Sequence, residues 1–129
     1  TNNDRALETA ARENGELVQS VKDDQVQEIL ASLITTTKIN DSSRLAGTVQ
    51  ENLIKSTRKK FRELKNLGVK EGPFYVLHGA DMPSILVEVG FLTNQKESQM
   101  LSKPDYLYRL ASSIAEGIYK YLQDKDPSI

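Results

Sequence analysis

Cysteine and tryptophan are both absent from the 129 residues, and histidine occurs once. Without Cys, a disulfide scaffold and thiolate metal sites are excluded. The single His78 bars this chain alone from building a multi-His zinc site, because a catalytic zinc usually takes about three protein ligands, with His prominent among them. No sign of charge dominates, with 17 Lys+Arg against 18 Asp+Glu. That balance argues against general nucleic-acid or membrane-surface binding. No apolar run approaches the roughly 18 residues of a membrane span, and no signal-peptide pattern is visible. A Gly-rich phosphate loop and a Gly-x-Ser-x-Gly elbow are missing too. The length fits one domain with a usable core. Its first residue is Thr1 rather than Met, which suggests a processed product or an excised piece.

The first two thirds read as helical. Asp4 is an expected N-cap, and Leu7, Ala10, Ala11, Asn14, Leu17 and Val18 recur at helical spacing up to about Gln19. A second segment from Asp23 or Asp24 places Val26, Ile29, Leu30, Leu33 and Ile34 on one face, its end blurred by the β-branched run Thr35-Thr36-Thr37. Asn40, Asp41 and Ser42 offer caps for a long helix carrying Leu45, Ala46, Val49, Leu53, Phe61, Leu64 and Leu67, closed by Gly68.

Beyond Gly68 the pattern turns to strand. Phe74-Tyr75-Val76-Leu77 is short, aromatic and β-branched between Gly72-Pro73 and Gly79. Ile85-Leu86-Val87-Glu88-Val89 is nearly continuous in apolar residues, as in a strand covered on both faces. Two strands do not make a stable sheet alone, so the pattern calls for sheet neighbours from elsewhere. Asn94 is an expected cap for a short helix to about Leu101. Pro104 suits the first position of a final helix with a stripe of Leu107, Leu110, Ala111, Ile114, Ala115, Ile118 and Leu122. A charged tail covers 124–129.

Glu88 is the sharpest chemical feature. A carboxylate inside an apolar strand is expected in low dielectric, where ionisation is costly unless a cation or metal is near. Alternation places Leu86, Glu88 and Gly90 on one face, near the strand's C-terminal end, where ligands gather in open α/β sheets. The residues alone leave open a catalytic or metal-contacting Glu, a Glu paired with Arg or Lys, and an edge-strand Glu facing water. His78 is a candidate ligand or an ordinary surface His. Lys55, Arg58, Lys59, Arg62 and Lys65, flanked by Lys60, are a solvated helix face or a contact for an anionic polymer. Tyr106, Tyr108, Tyr119 and Tyr121 are spaced for packing, as core and boundary residues.

The stretch from Gly72 to Asn94, with its Met-Pro-Ser-Ile-Leu-Val-Glu-Val-Gly-Phe-Leu-Thr-Asn run, closely resembles the C-terminal half of the zinc-dependent N-acetylmuramoyl-L-alanine amidases of bacterial cell walls, the Amidase_3 family. The likeness continues through Glu97, Leu101 and Ile114-Ala-Glu-Gly-Ile-Tyr119, and backward to Ser42-Ser43-Arg44-Leu45-Ala46. It covers roughly residues 5 to 122.

That resemblance implies an α/β fold, a partial three-layer sandwich with helices packed on a sheet whose N-terminal strands and metal loops are missing from this chain. Residues 1–123 would be the C-terminal part of one catalytic domain, with 41–123 carrying the long helix, two strands and the C-terminal helix. The implied enzyme hydrolyses the amide between N-acetylmuramic acid and L-alanine of peptidoglycan. Glu88 would be its catalytic carboxylate, acting as base toward a zinc-bound water and then as proton donor to the leaving amine. The family's two His and one Glu zinc ligands lie in an Asp-Pro-Gly-His-Gly-Gly type loop and a Ser-x-His motif, neither present here. The resemblance therefore implies a missing N-terminal half and a chain that alone holds no zinc and is inactive.

About 10–37 resembles the regulatory-helix insertion of division-associated Gram-negative amidases, where an inserted helix covers the active site until an activator protein displaces it. Glu13 would then contact and occlude the zinc of the complete domain; otherwise it is a solvent-facing helix residue. The implied location is periplasmic or cell-envelope/extracellular. The competing expectation is a non-catalytic helical regulatory or binding module.

Overall fold

Helix formation in this chain follows its apolar spacing, but the faces that become buried are not always the expected ones. The structure, a computed structural model, describes residues 2–17, 37–77 and 79–129. The expected helix over 24–34, His78 and most of the 10–37 insertion lie outside the described residues. Four α-helices are present among them: α1 (Asn2–Leu17), α2 (Thr37–Thr57), α3 (Gln95–Leu101) and α4 (Pro104–Lys125). A 3-10 turn spans Tyr75–Leu77. The chain divides into two compact units, one of residues 1–43 and 69–86, the other of 44–68 and 87–129.

The α/β expectation is corrected. Among the described residues there is no strand and no sheet. Phe74–Leu77 winds into the 3-10 turn, with Leu77 N–H donating to Phe74 C=O at 3.1 Å. Residues 85–89 run without a ladder. A backbone donor left unpaired is costly, so an extended segment without strand neighbours must find other partners. In the first unit, side chains supply some of them. Asn14 of α1 donates to the Pro73 carbonyl and accepts from Tyr75 N–H at 2.9 Å. Lys38 Nζ donates to the carbonyls of Leu77 at 3.2 Å and Ala80 at 2.6 Å. Ser42 Oγ accepts from Ser84 N–H at 3.0 Å. The buried stripe of α1 is Ala6, Ala10 and Asn14, while Leu7 stays half exposed.

The second unit is built on the remainder of α2 against α4. Leu53, Ile54, Tyr106 and Leu110 form its core, with Phe61, Leu64, Val87, Met100, Leu101 and Ile114 packed around them. Full burial of one such side chain contributes about 1.5–3 kcal/mol. Phe61 meets Tyr106 edge to face, with centroids 5.0 Å apart.

Helix α2 stops at Thr57, eleven residues short of the Gly68 expected to close it. The cations at 55, 58, 59 and 62 would stack at i,i+3 and i,i+4 in a continued helix, an unfavourable arrangement. Instead the chain turns: Thr57 C=O accepts from Phe61 N–H at 2.8 Å, and Arg58 Nε donates to Leu64 C=O at 2.9 Å. Gly68 keeps a left-handed backbone (φ 77°) within the loop that follows.

Helices α3 and α4 begin where expected. Asn94 Oδ1 caps α3 by accepting from Glu97 N–H at 3.0 Å. Pro104 is the first residue of α4. The buried face of α4, however, is Tyr106, Leu110, Ser113, Gly117 and Tyr121. That is rotated from the expected stripe, so Leu107, Ile118 and Leu122 are exposed. The close approach of α2 explains the rotation: a Cβ on Gly117 would stand 2.8 Å from Val49 Cα, so only glycine fits there. Of the four tyrosines on α4, Tyr106 and Tyr121 are buried, whereas Tyr108 and Tyr119 are exposed.

Candidate active site

Glu88 lies in the second unit, in the non-helical stretch leading to α3. Its side chain is exposed, which corrects the expectation of a low-dielectric strand interior. With no strand neighbour among the described residues to cover it, the alternating pattern loses its buried face. The segment is nevertheless anchored on both sides. Val87 packs against the core. Three residues after Glu88, Phe91 N–H donates to Glu97 Oε2 at 3.2 Å, and Asn94 N–H donates to Phe91 C=O at 3.1 Å. Between the anchors, Gly90 adopts φ 151°, which an L side chain rarely takes. The carboxylate of Glu88 is thus presented to solvent from a short backbone span held at its ends.

Glu97 escaped the sequence reading as a positioning residue. Its signal was the Asn94-x-x-Glu97 spacing of a capping box. Here the carboxylate reaches past the N-cap to the N–H of Phe91.

Glu13 is exposed on α1, beside the buried Asn14. It belongs to the first unit, Glu88 to the second. His78 lies outside the described residues. The cations Lys55, Arg58, Lys59, Lys60, Arg62 and Lys65 are all exposed. Among the described residues, no three His, Asp or Glu side chains gather to hold a metal ion, so they do not by themselves fit a zinc centre. No described helix is long and apolar enough to cross a membrane.

Over residues 7–120 the sequence matches the Amidase_3 family, N-acetylmuramoyl-L-alanine amidase. The uncharacterized protein YqiI of Bacillus subtilis (strain 168) is 38% identical over 81 residues, which cover 63% of this chain and 37% of that protein. N-acetylmuramoyl-L-alanine amidase AmiA of Escherichia coli (strain K12) is 30% identical over 100 residues, covering 78% of this chain and 33% of AmiA. The germination-specific N-acetylmuramoyl-L-alanine amidase of B. subtilis (strain 168) is 34% identical over 92 residues, 70% of this chain and 37% of the relative. No solved structure matches. The chain belongs to the Amidase_3 family of N-acetylmuramoyl-L-alanine amidases. It spans about a third of the length of these three relatives.

Proposed function

We propose that this chain is part of a peptidoglycan hydrolase that cleaves the amide between N-acetylmuramic acid and L-alanine, and that Glu88 is its acid–base carboxylate. The observation that carries the reading is the family match over residues 7–120. The anchored, exposed Glu88 within that span supports it. In the reaction, water adds to the lactyl carbonyl carbon. The Glu88 carboxylate takes a proton from that water and returns it to the alanyl nitrogen, so that the C–N bond breaks and a carboxylate and an amine separate. A base and acid of this kind must reach the reacting atoms. Exposure of Glu88 permits that approach. Zinc is the cofactor of the proposed complete domain; since the described residues do not form its site, the acid–base role is stated without it.

The finer reading places the protein in the cell envelope, in the division-associated subgroup. There Glu13, on the exposed side of α1, would face the metal in a resting state released by an activator protein. Exposure of Glu13 leaves its carboxylate available for such a contact.

The test is hydrolysis of a muramoyl peptide by the intact protein containing this chain, read as new N-terminal alanine. Glu88→Gln should lower kcat/KM by about 100-fold or more in a variant whose circular dichroism shows it folded. Full activity in that variant removes Glu88 from the mechanism.

A further inference from the structure

Spacing along α4 places Asp105, Tyr108, Arg109, Ser112 and Glu116 on one helical face. This face flanks the buried one and looks onto the C-terminal end of α2. There, with Ser56 and Lys60, it lines an open groove of about 400 Å³. The volume falls in the range of about 300–1,000 Å³ typical of small-molecule sites.

The chemistry of the lining selects a ligand class. Two cations, Lys60 and Arg109, and two carboxylates, Asp105 and Glu116, line the groove, so it carries no net charge to favour an anion or a cation. Ser56 and Ser112 contribute hydroxyls that both donate and accept. Tyr108 is 76% exposed, its ring available although its position had suggested packing. Lys60 Nζ and Asp105 Oδ2 stand 3.3 Å apart, with side chains 54% and 77% exposed. A pair so exposed is weakly held and free to exchange partners with a ligand. Glu116 Oε2 accepts from Asn52 Nδ2 at 3.4 Å.

An uncovered aromatic face beside balanced donors and acceptors suits a neutral ligand with apolar C–H faces and polar rims. We propose that this groove binds saccharide, the Tyr108 ring stacking on a sugar face. Carboxylates and cations on either side then engage hydroxyl and acetamido groups. The choice of an N-acetylated sugar, as in a peptidoglycan glycan strand, rests on the cell-wall reading above.

Titrating the ¹⁵N-labelled intact protein containing this chain with tetra-N-acetylchitotetraose tests the proposal by amide chemical shifts. Perturbations should concentrate at 56, 60 and 105–116. Tyr108→Ala should weaken binding by roughly tenfold with an unchanged melting temperature, since the side chain it removes is exposed. Absence of shifts up to about 10 mM sugar, shifts located elsewhere, or full affinity in Tyr108→Ala would each overturn it. So would displacement of the sugar from these amides by short-chain polyphosphate at lower concentration, which would make the groove an anion site. Sugar binding by an intact protein that hydrolyses no muramoyl peptide would sink the amidase reading and leave the groove standing; hydrolysis without sugar binding would do the reverse.

Discussion

Gly117 of α4 lies directly against Val49 of α2, so close that a Cβ at 117 would stand 2.8 Å from the Val49 Cα and 3.3 Å from its Cγ2. The nearest obstacle is backbone, which cannot swing aside as a flexible side chain would. Gly117→Ala should therefore force the two helices apart and destabilise the protein by about 1–3 kcal/mol. Thermal or urea unfolding followed by circular dichroism would show it. An unchanged midpoint would mean that the helices can shift at little cost.

Asn14 gives a second prediction. Its amide takes two roles at the 73–75 turn, donating to Pro73 C=O and accepting from Tyr75 N–H. Asn14→Ala would leave both backbone groups without these partners in a part-buried setting. Each such loss costs about 1–3 kcal/mol. Hydrogen exchange at Tyr75 N–H should accelerate and the midpoint of unfolding should fall. Asn14→Asp keeps the acceptor only, and should retain Tyr75 protection better than Ala does.

Tyr121 makes the opposite case. Its hydroxyl is buried with no hydrogen-bond partner among the described residues. Removing an unsatisfied polar atom relieves a desolvation penalty. Tyr121→Phe should thus be neutral or stabilising by up to about 1 kcal/mol. A clear loss of stability in chemical unfolding would reveal that the hydroxyl is satisfied in solution.

Tyr106 carries the pH dependence. Burial, and secondarily the negative charge of Glu97, push its phenol above the ordinary tyrosine value. Folding therefore favours the neutral phenol. The stability linked to this group is fully present below about pH 10 and is lost as pH rises through the raised folded value. Melting temperatures should fall as pH rises above about 10. The fall should be shallower in Tyr106→Phe, which keeps the edge-to-face contact with Phe61 but has nothing to ionise. Parallel declines would assign the alkaline loss to other groups.

Much of the helical framework is legible in the residue order. Capping by Asn94, the start at Pro104 and the burial of Leu45, Val49 and Leu53 follow from local rules that act within a turn or two of helix. The end of α2 was misplaced because periodicity continued to Leu67 while charge repulsion and the Arg58 contact to Leu64 C=O favoured a turn. The strand expectation failed for a non-local reason. Residues 74–77 and 85–89 have strand composition, but a strand exists only where another pairs with it. No described segment does so.

The candidate site divides the same way. Glu88 and its surrounding motif were recognisable from residue order alone, because a carboxylate within an apolar run and a long specific motif are properties of the linear chain. Its exposure, its anchoring through Val87 and Glu97, and the groove beside Tyr108 were not, because each depends on which surfaces meet. Helix identity, and the candidacy of Glu88 as the proposed acid–base residue, were thus legible in the sequence. Tertiary packing decided which faces were buried, with glycine at 117 letting two backbones approach and with Tyr106 and Tyr121 turned into the core while Tyr108 and Tyr119 face solvent.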